Sequence, residues 1–177
     1  FFYIGGNAST ATIRQLSDDV ILNGSKIRFM GVPKTIDNDL AGTDHTPGFG
    51  SAAKYIGSIT KEVIRDGLVY DQQSVTILEI MGRNAGWLTG AAALAKCEDC
   101  EGPDMIFLPE ITFDVDEFMR KVADLHKKKK SVVVAVSEGV RVADGRYVCE
   151  LTDGIDYVDA FGHKQLTGTA RYLAEKI

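Results

Sequence analysis

The sequence predicts an α/β fold, a Rossmann-like three-layer sandwich with mostly parallel sheets. Two observations carry this expectation. Short apolar runs alternate with segments of helical period along most of the chain, and three of those runs are continuously apolar rather than alternating. The βαβα order points to the α/β class, and a continuous apolar run is what a parallel strand covered on both faces requires.

The runs at residues 1–4, 26–32, 74–81, 105–108 and 131–136 read as strands, the first of them buried. Between them, helices are expected over residues 9–22, stopped by Asn23-Gly24, and over 49–66, 85–96, 114–128 and 166–176. The triplets Phe118, Val122, Leu125 and Ile56, Ile59, Val63 recur at helical spacing and are expected core faces. Lys127 to Lys130 close a helix, where cations offset the negative end of the dipole, so this run reads as a solvated terminus. Residues 141–161 are the least regular stretch, with Asp144-Gly145 marking a hairpin turn. A domain boundary is expected near Gly48-Phe49-Gly50.

Composition narrows the function classes. With 177 residues, 45% hydrophobic and 25% charged, and a mean hydropathy of −0.04, the chain can bury a sizeable core. Twenty basic against 25 acidic residues give a net charge of −5 and a pI near 5.2, so no global basic surface exists for a nucleic-acid backbone. Any anion must therefore be held at a local site. Residues 84–95, the longest stretch without formal charge, are too few and too rich in Gly and Ala to span a bilayer, and no basic-then-apolar leader opens the sequence. A cytoplasmic location without membrane contact is expected. The strand-like opening without a Met suggests a chain that begins within a longer polypeptide.

Cys97 and Cys100 form a C-x-x-C motif, but no second pair follows and Cys149 is distant. Glu98 and Asp99 between them disfavour a thiolate, so reduced, unligated thiols are expected.

In an open parallel sheet, ligands gather beyond the carboxyl ends of the strands, so the residues after each strand matter most. The first strand is followed by Gly5-Gly6-Asn7-Ala8-Ser9, where backbone N–H groups and a helix start can approach an anion; a paired Gly is equally a simple turn. No G-x-x-x-x-G-K-[ST] or G-x-G-x-x-G occurs, which argues against a P-loop nucleotide hydrolase or a dinucleotide enzyme. The second strand leads into Pro33-Lys34-Thr35-Ile36-Asp37-Asn38-Asp39, which sets a cation, a hydroxyl and two carboxylates on one loop. That mixture suits phosphoryl transfer, which needs cations on the transferring group, a carboxylate to take a proton, and usually Mg²⁺ on another carboxylate. The alternative is an Asp/Asn-rich turn that caps itself. Arg83 after the third strand can grip phosphate bidentately or form a structural ion pair. Glu138 after the fifth can accept sugar hydroxyls or serve as a loop partner, and His163 can be catalytic or structural.

Taken together, Gly5-Gly6-Asn7, Pro33 to Asp39, Met81-Gly82-Arg83, Pro109-Glu110, Ser137-Glu138-Gly139 and Phe161-Gly162-His163-x-Gln165 resemble the phosphofructokinase family, in the family's order. The resemblance implies a two-part phosphofructokinase subunit: residues 1–48 in a phosphate-donor domain, 49–161 in a sugar-phosphate domain, and 162–177 returning toward the donor domain. It implies a homo-oligomer acting on fructose 6-phosphate with Mg²⁺. By position, Asp37 would be the general base for the 1-hydroxyl, and Asp39 would assist it and the metal. Thr35, Ile36, Met81, Gly82, Arg83 and Glu138 would hold the sugar phosphate, with Arg83 also steadying the transferring phosphoryl and His163 at the 6-phosphate. Gly5, Gly6 and Ala8 would line the donor site, and Asn7 stands where many relatives place a metal-associated Asp.

Lys34 resembles the pyrophosphate-dependent branch, where ATP-dependent bacterial relatives carry Gly; a lysine neutralises a small diphosphate and crowds a longer triphosphate. Ala8, where that branch usually has Asp, leaves the ATP-dependent alternative open. A non-catalytic sugar-phosphate-binding homologue is the third reading, and a NAD or lipid kinase a more distant one. The family's first strand with its G-G-x-x-P-G loop and its C-terminal helices have no counterpart in this sequence, so an incomplete donor site is expected of this chain by itself.

Overall fold

The computed structural model describes residues 1–151 and 168–177, with residues 7 and 8 as backbone. The chain divides into two units, Phe1–Gly50 and Ser51–Ile177.

In the first unit, strands β1 (Phe2–Gly5) and β2 (Met30–Pro33) pair in parallel, with Phe2 opposite Met30 and Gly5 opposite Pro33. Helix α1 (Asn7–Leu22) connects them and brings Ile13 against the pair; a Cβ on Gly31 would lie 3.4 Å from the Ile13 side chain. The helix stops at Asn23-Gly24 as the sequence predicts: Asn23 donates its backbone N–H and its side-chain amide to Asp19 O, and Gly24 takes φ +66°. Strand β1 forms where expected but is not buried, since Phe2 and Ile4 are 74% and 68% exposed. The reason is geometric. A two-stranded ladder with α1 packed on it buries one side of the strand, toward which Tyr3 and Gly5 point, and leaves alternate side chains uncovered. Strand β2 is shorter than the expected 26–32 because only four residues of β1 stand opposite it.

In the second unit, β3 (Ser74–Ile80), β4 (Met105–Phe107) and β5 (Ser131–Ser137) form an all-parallel sheet in the order β3-β5-β4. All seven residues of the central strand are buried. Val132, Val134 and Val136 point into a core with Phe113, Phe118, Val122, Val140, Val148 and Leu173, while Val133 and Ala135 are covered on the opposite face. This is the two-sided burial that the continuous Val run predicts. Phe107, Phe113 and Phe118 pack tilted and edge-on with centroids 4.9–5.8 Å apart. Phe118→Ala should cost about 3–5 kcal/mol, the usual loss for an emptied aromatic site, read as a lowered midpoint in urea.

Helix α2 (Phe49–Gly67) opens at the unit boundary. Its deepest residues are Ala53, Gly57 and Thr60, whereas Ile56, Ile59 and Val63 are only half-buried, which corrects the expected stripe. Small residues lie innermost because the next segment comes close; a Cβ on Gly57 would sit 3.0 Å from Leu94 Cβ. That segment, expected as one helix over 85–96, is instead α3 (Trp87–Gly90) followed by a 3-10 turn (Ala91–Ala95). Gly86 and Gly90 bracket the first turn, and two glycines in so short a span weaken a regular helix. Helix α4 (Val115–His126) is capped by Asp114, whose Oδ1 accepts from Glu117 N at 2.9 Å, with Asp116 and Glu117 in the first turn. The lysines after α4 are tied into ion pairs, Lys127 with Asp124, Lys129 with Asp104 (both 2.7 Å) and Lys130 with Asp71. The hairpin at Asp144-Gly145 forms, with Gly145 at φ +88° and Arg141 bridged to Tyr147. Helix α5 (Thr169–Lys176) closes the described chain. No described helix is long and apolar enough to cross a membrane.

Candidate functional site

The carboxyl ends of β1 and β2 lie side by side because Gly5 is paired with Pro33. Lys34 N donates to Gly5 O at 2.9 Å, so the Gly5-Gly6 turn and the start of the Lys34 to Asp39 loop are held together at one end of the ladder. Gly6 precedes the first turn of α1. The loop then braces itself internally. Buried Thr35 accepts the N–H of Asp37 on Oγ1 at 3.0 Å. Asn38, also buried, adopts φ +58°, a left-handed conformation that Asn tolerates better than most residues. Its side chain ties the loop to the segment around Asp44 and Thr46: Nδ2 donates to Asp44 O at 3.2 Å, and Oδ1 accepts from Thr46 N at 2.9 Å and Thr46 Oγ1 at 3.3 Å. Asp37 and Asp39 therefore flank a pinned kink and are both half-buried, while Lys34 is exposed and Ile36 is 37% exposed. The sequence flags this loop but not Asn38 itself; an Asn between two Asp in a tight loop was the available signal.

In the second unit, Ile80 stands opposite Ser137, so the loops after β3 and β5 emerge as neighbours. Buried Ser137 staples them: its Oγ donates to Gly82 O at 2.8 Å and accepts from Gly139 N at 3.0 Å. Glu138 Oε1 accepts from Gly82 N at 3.4 Å, and Glu138 N donates to Ile80 O at 3.0 Å. Gly82 takes φ +125°, and Gly139 lies so near Arg83 that a Cβ there would stand 2.1 Å from its carbonyl oxygen. Arg83 is half-buried, and its Nε is shielded with no hydrogen-bond partner among the described residues. A donor held dry at a strand end is suited to an anionic ligand. Met81 is 57% exposed.

Two carboxylates beside this site serve the backbone. Glu110 Oε1 accepts from Gly86 N at 2.7 Å. Glu79 accepts Gly168 N and Ala170 N at 3.2 and 2.9 Å, capping α5 from the penultimate position of β3. Sequence reading missed Glu79, since a Glu within an apolar strand carries no local sign of a partner 89 residues away. Removing both acceptors with Glu79→Ala should destabilise the chain by about 1–3 kcal/mol. Urea denaturation checks this; an unchanged midpoint would show that the helix is anchored elsewhere.

The structure thus groups Gly5, Gly6, Lys34, Thr35, Ile36, Asp37 and Asp39 within the first unit, and Met81, Gly82, Arg83 and Glu138 within the second. His163 lies outside the described residues, as do the side chains of Asn7 and Ala8. Among the described residues no group of three or more His, Cys, Asp or Glu is gathered for a metal.

Parallel strands with polar loops at their carboxyl ends, in each of the two units, define an α/β protein. The chain belongs to the phosphofructokinase family, whose model, described as "Phosphofructokinase", matches residues 1–176. It is 43% identical over 170 residues to the pyrophosphate–fructose 6-phosphate 1-phosphotransferase of Rhodospirillum rubrum, covering 96% of this chain and 41% of the relative. To the enzyme of the same name from Xanthomonas campestris it is 42% identical over 179 residues, covering all of this chain and 42% of the relative. The pyrophosphate-dependent phosphofructokinase from Nitrosospira multiformis superposes with a TM-score of 0.66 at 43% identity, over 82% of this chain and 38% of that one. The chain spans about two fifths of the length of the curated relatives it matches.

Proposed function

We propose that this chain carries the catalytic and sugar-phosphate loops of a 6-phosphofructokinase that transfers a phosphoryl group from pyrophosphate to the 1-hydroxyl of fructose 6-phosphate. The observation that supports it most is the braced loop from Lys34 to Asp39, with Asp37 and Asp39 half-buried on either side of the pinned Asn38. Asp37 takes the proton of the 1-hydroxyl; the freed oxygen attacks phosphorus, and inorganic phosphate leaves as fructose 1,6-bisphosphate forms. Lys34 neutralises the diphosphate, and Arg83 bears charge on the transferring group. Thr35, Ile36, Met81, Gly82, Glu138 and His163 hold the sugar phosphate, while Gly5, Gly6 and Ala8 line the donor side.

Mg²⁺ suits this donor set, because it needs only one or two carboxylates besides phosphate oxygens and water. In this reading Asn7 and Asp39 would serve the ion, which when bound would offset phosphate charge during transfer. Residues 1–48 serve the donor, 49–161 the sugar phosphate, and 162–177 return toward the donor part. The working protein is a cytoplasmic homo-oligomer.

The test compares pyrophosphate with ATP in forming fructose 1,6-bisphosphate from fructose 6-phosphate and Mg²⁺, with this chain carried in a polypeptide of its relatives' length. Turnover with pyrophosphate alone is expected. Turnover with ATP alone would make Ala8 the residue that sets the donor, and silence with both would favour a sugar-phosphate-binding homologue.

A further inference from the structure

We infer that Cys97 and Cys100 form a reversible dithiol–disulfide couple, a redox site on the hairpin that precedes β4. The two residues face each other across an isolated antiparallel bridge, Cys97 N donating to Cys100 O at 2.8 Å and Cys100 N to Cys97 O at 3.3 Å. A pair that exchanges both bonds has its Cα atoms about 5.5 Å apart. Disulfides span Cα separations of about 4.4–6.8 Å, so a backbone pairing of this kind lies within the Cα range a disulfide needs. Both residues line one open hollow of about 410 Å³, with Ile64, Leu68, Gly102 and Lys129 around it, and both thiols are free.

The charges at the hairpin also differ from what the motif alone implies. Asp99 is paired with Lys61 at 3.2 Å and with Arg65, so two cations offset its charge beside Cys97. The Cys97 thiol donates to Asp99 Oδ1 at 2.9 Å. The Lys61 ammonium holds its proton more tightly than usual, first through its hydrogen bond with Cys97 and then through Asp99. Its exposure leaves the Cys97 sulfur within reach of a disulfide in solution. Cys97 is exposed and acts as the attacking group; Cys100, 6% exposed, resolves. Cys149 differs on both counts: it is buried, and burial pushes its thiol up, with Glu150 adding to the effect.

With a low-molecular-weight disulfide as oxidant, the Cys97 thiolate attacks one of its sulfurs, forming a mixed disulfide and expelling one thiolate. Cys100 gives its proton to solvent and attacks Cys97 Sγ; the Cys97–Cys100 bond forms and the second thiolate leaves. The chain loses two electrons and two protons, and the oxidant becomes two thiols.

The full chain equilibrated with graded mixtures of oxidised and reduced glutathione, then alkylated and digested, provides the test. The peptide holding both cysteines should lose the mass of two hydrogens as the oxidised fraction rises and regain it on reduction. The loss should vanish in Cys97→Ser, an exposed and conservative change, and in Cys100→Ser, and should persist in Cys149→Ser. Alkylation of both cysteines at every ratio, a glutathione adduct that stays on Cys97, or persistence of the loss in Cys97→Ser would each overturn the inference. The readout involves no turnover, so it stands apart from the proposed transfer reaction.

Discussion

Replacing Asp37 with serine should lower turnover by ~10²–10⁴-fold or more while fructose 6-phosphate still binds. The expectation rests on the division of labour within the loop. The Asp37 N–H, not its carboxylate, is what Thr35 Oγ1 holds, and the kink is fixed by Asn38 through Asp44 and Thr46. Serine keeps that N–H and leaves the Asn38 ties in place, so the loop should hold its kink while the carboxylate of the proposed base is removed. A kcat that collapses with a near-constant KM is the signature of a group that acts mainly in the transition state. Unchanged turnover would remove Asp37 from the base role.

Gly139→Ala should be the most damaging single methyl in the second unit. The added carbon would stand 2.1, 2.6 and 2.7 Å from the carbonyl oxygen, carbonyl carbon and Cα of Arg83, all backbone atoms that no rotamer change can move aside. Either the Glu138-Gly139 turn or the Arg83 segment must shift, and both hang on the Ser137 hydroxyl. A stability loss of about 3 kcal/mol is expected, with sugar-phosphate binding weakened because Arg83 moves. Calorimetry together with fructose 6-phosphate titration checks both parts. Full stability with intact binding would mean that the turn has slack the packed geometry does not suggest.

Much of this architecture was legible in the sequence because it depends on local pattern. The Val run from Val132 to Val136 announces a doubly covered strand, Asn23-Gly24 a helix stop, and Asp114 a helix start. Where reading failed, the deciding partner lay far along the chain or was a missing cover. Phe2 and Ile4 look like core residues until the two-strand ladder leaves one side open. Residues 85–96 look like one helix until the glycines and the close approach of Gly57 tighten the second half. The candidate site divides in the same way. Asp37, Asp39 and Arg83 stand out by residue type, whereas the bracing that Asn38, Ser137 and Gly139 supply shows only in hydrogen bonds and close contacts.

The uneven burial of the two units has a consequence for motion. Ile13 is the one buried apolar side chain among the described residues of Phe1–Gly50, whereas Ser51–Ile177 holds a cluster of nine around β5. Segments with little buried apolar surface open at low free energy, and their amides trade protons with solvent long before those of a core strand. The Asp37 loop is rooted in the sparsely buried unit. Its amides should label with deuterium early and those of Val132 to Val136 last, which would put the proposed base, Asp37, in the unit that opens readily and the proposed phosphate ligand, Arg83, in the unit that keeps its core closed.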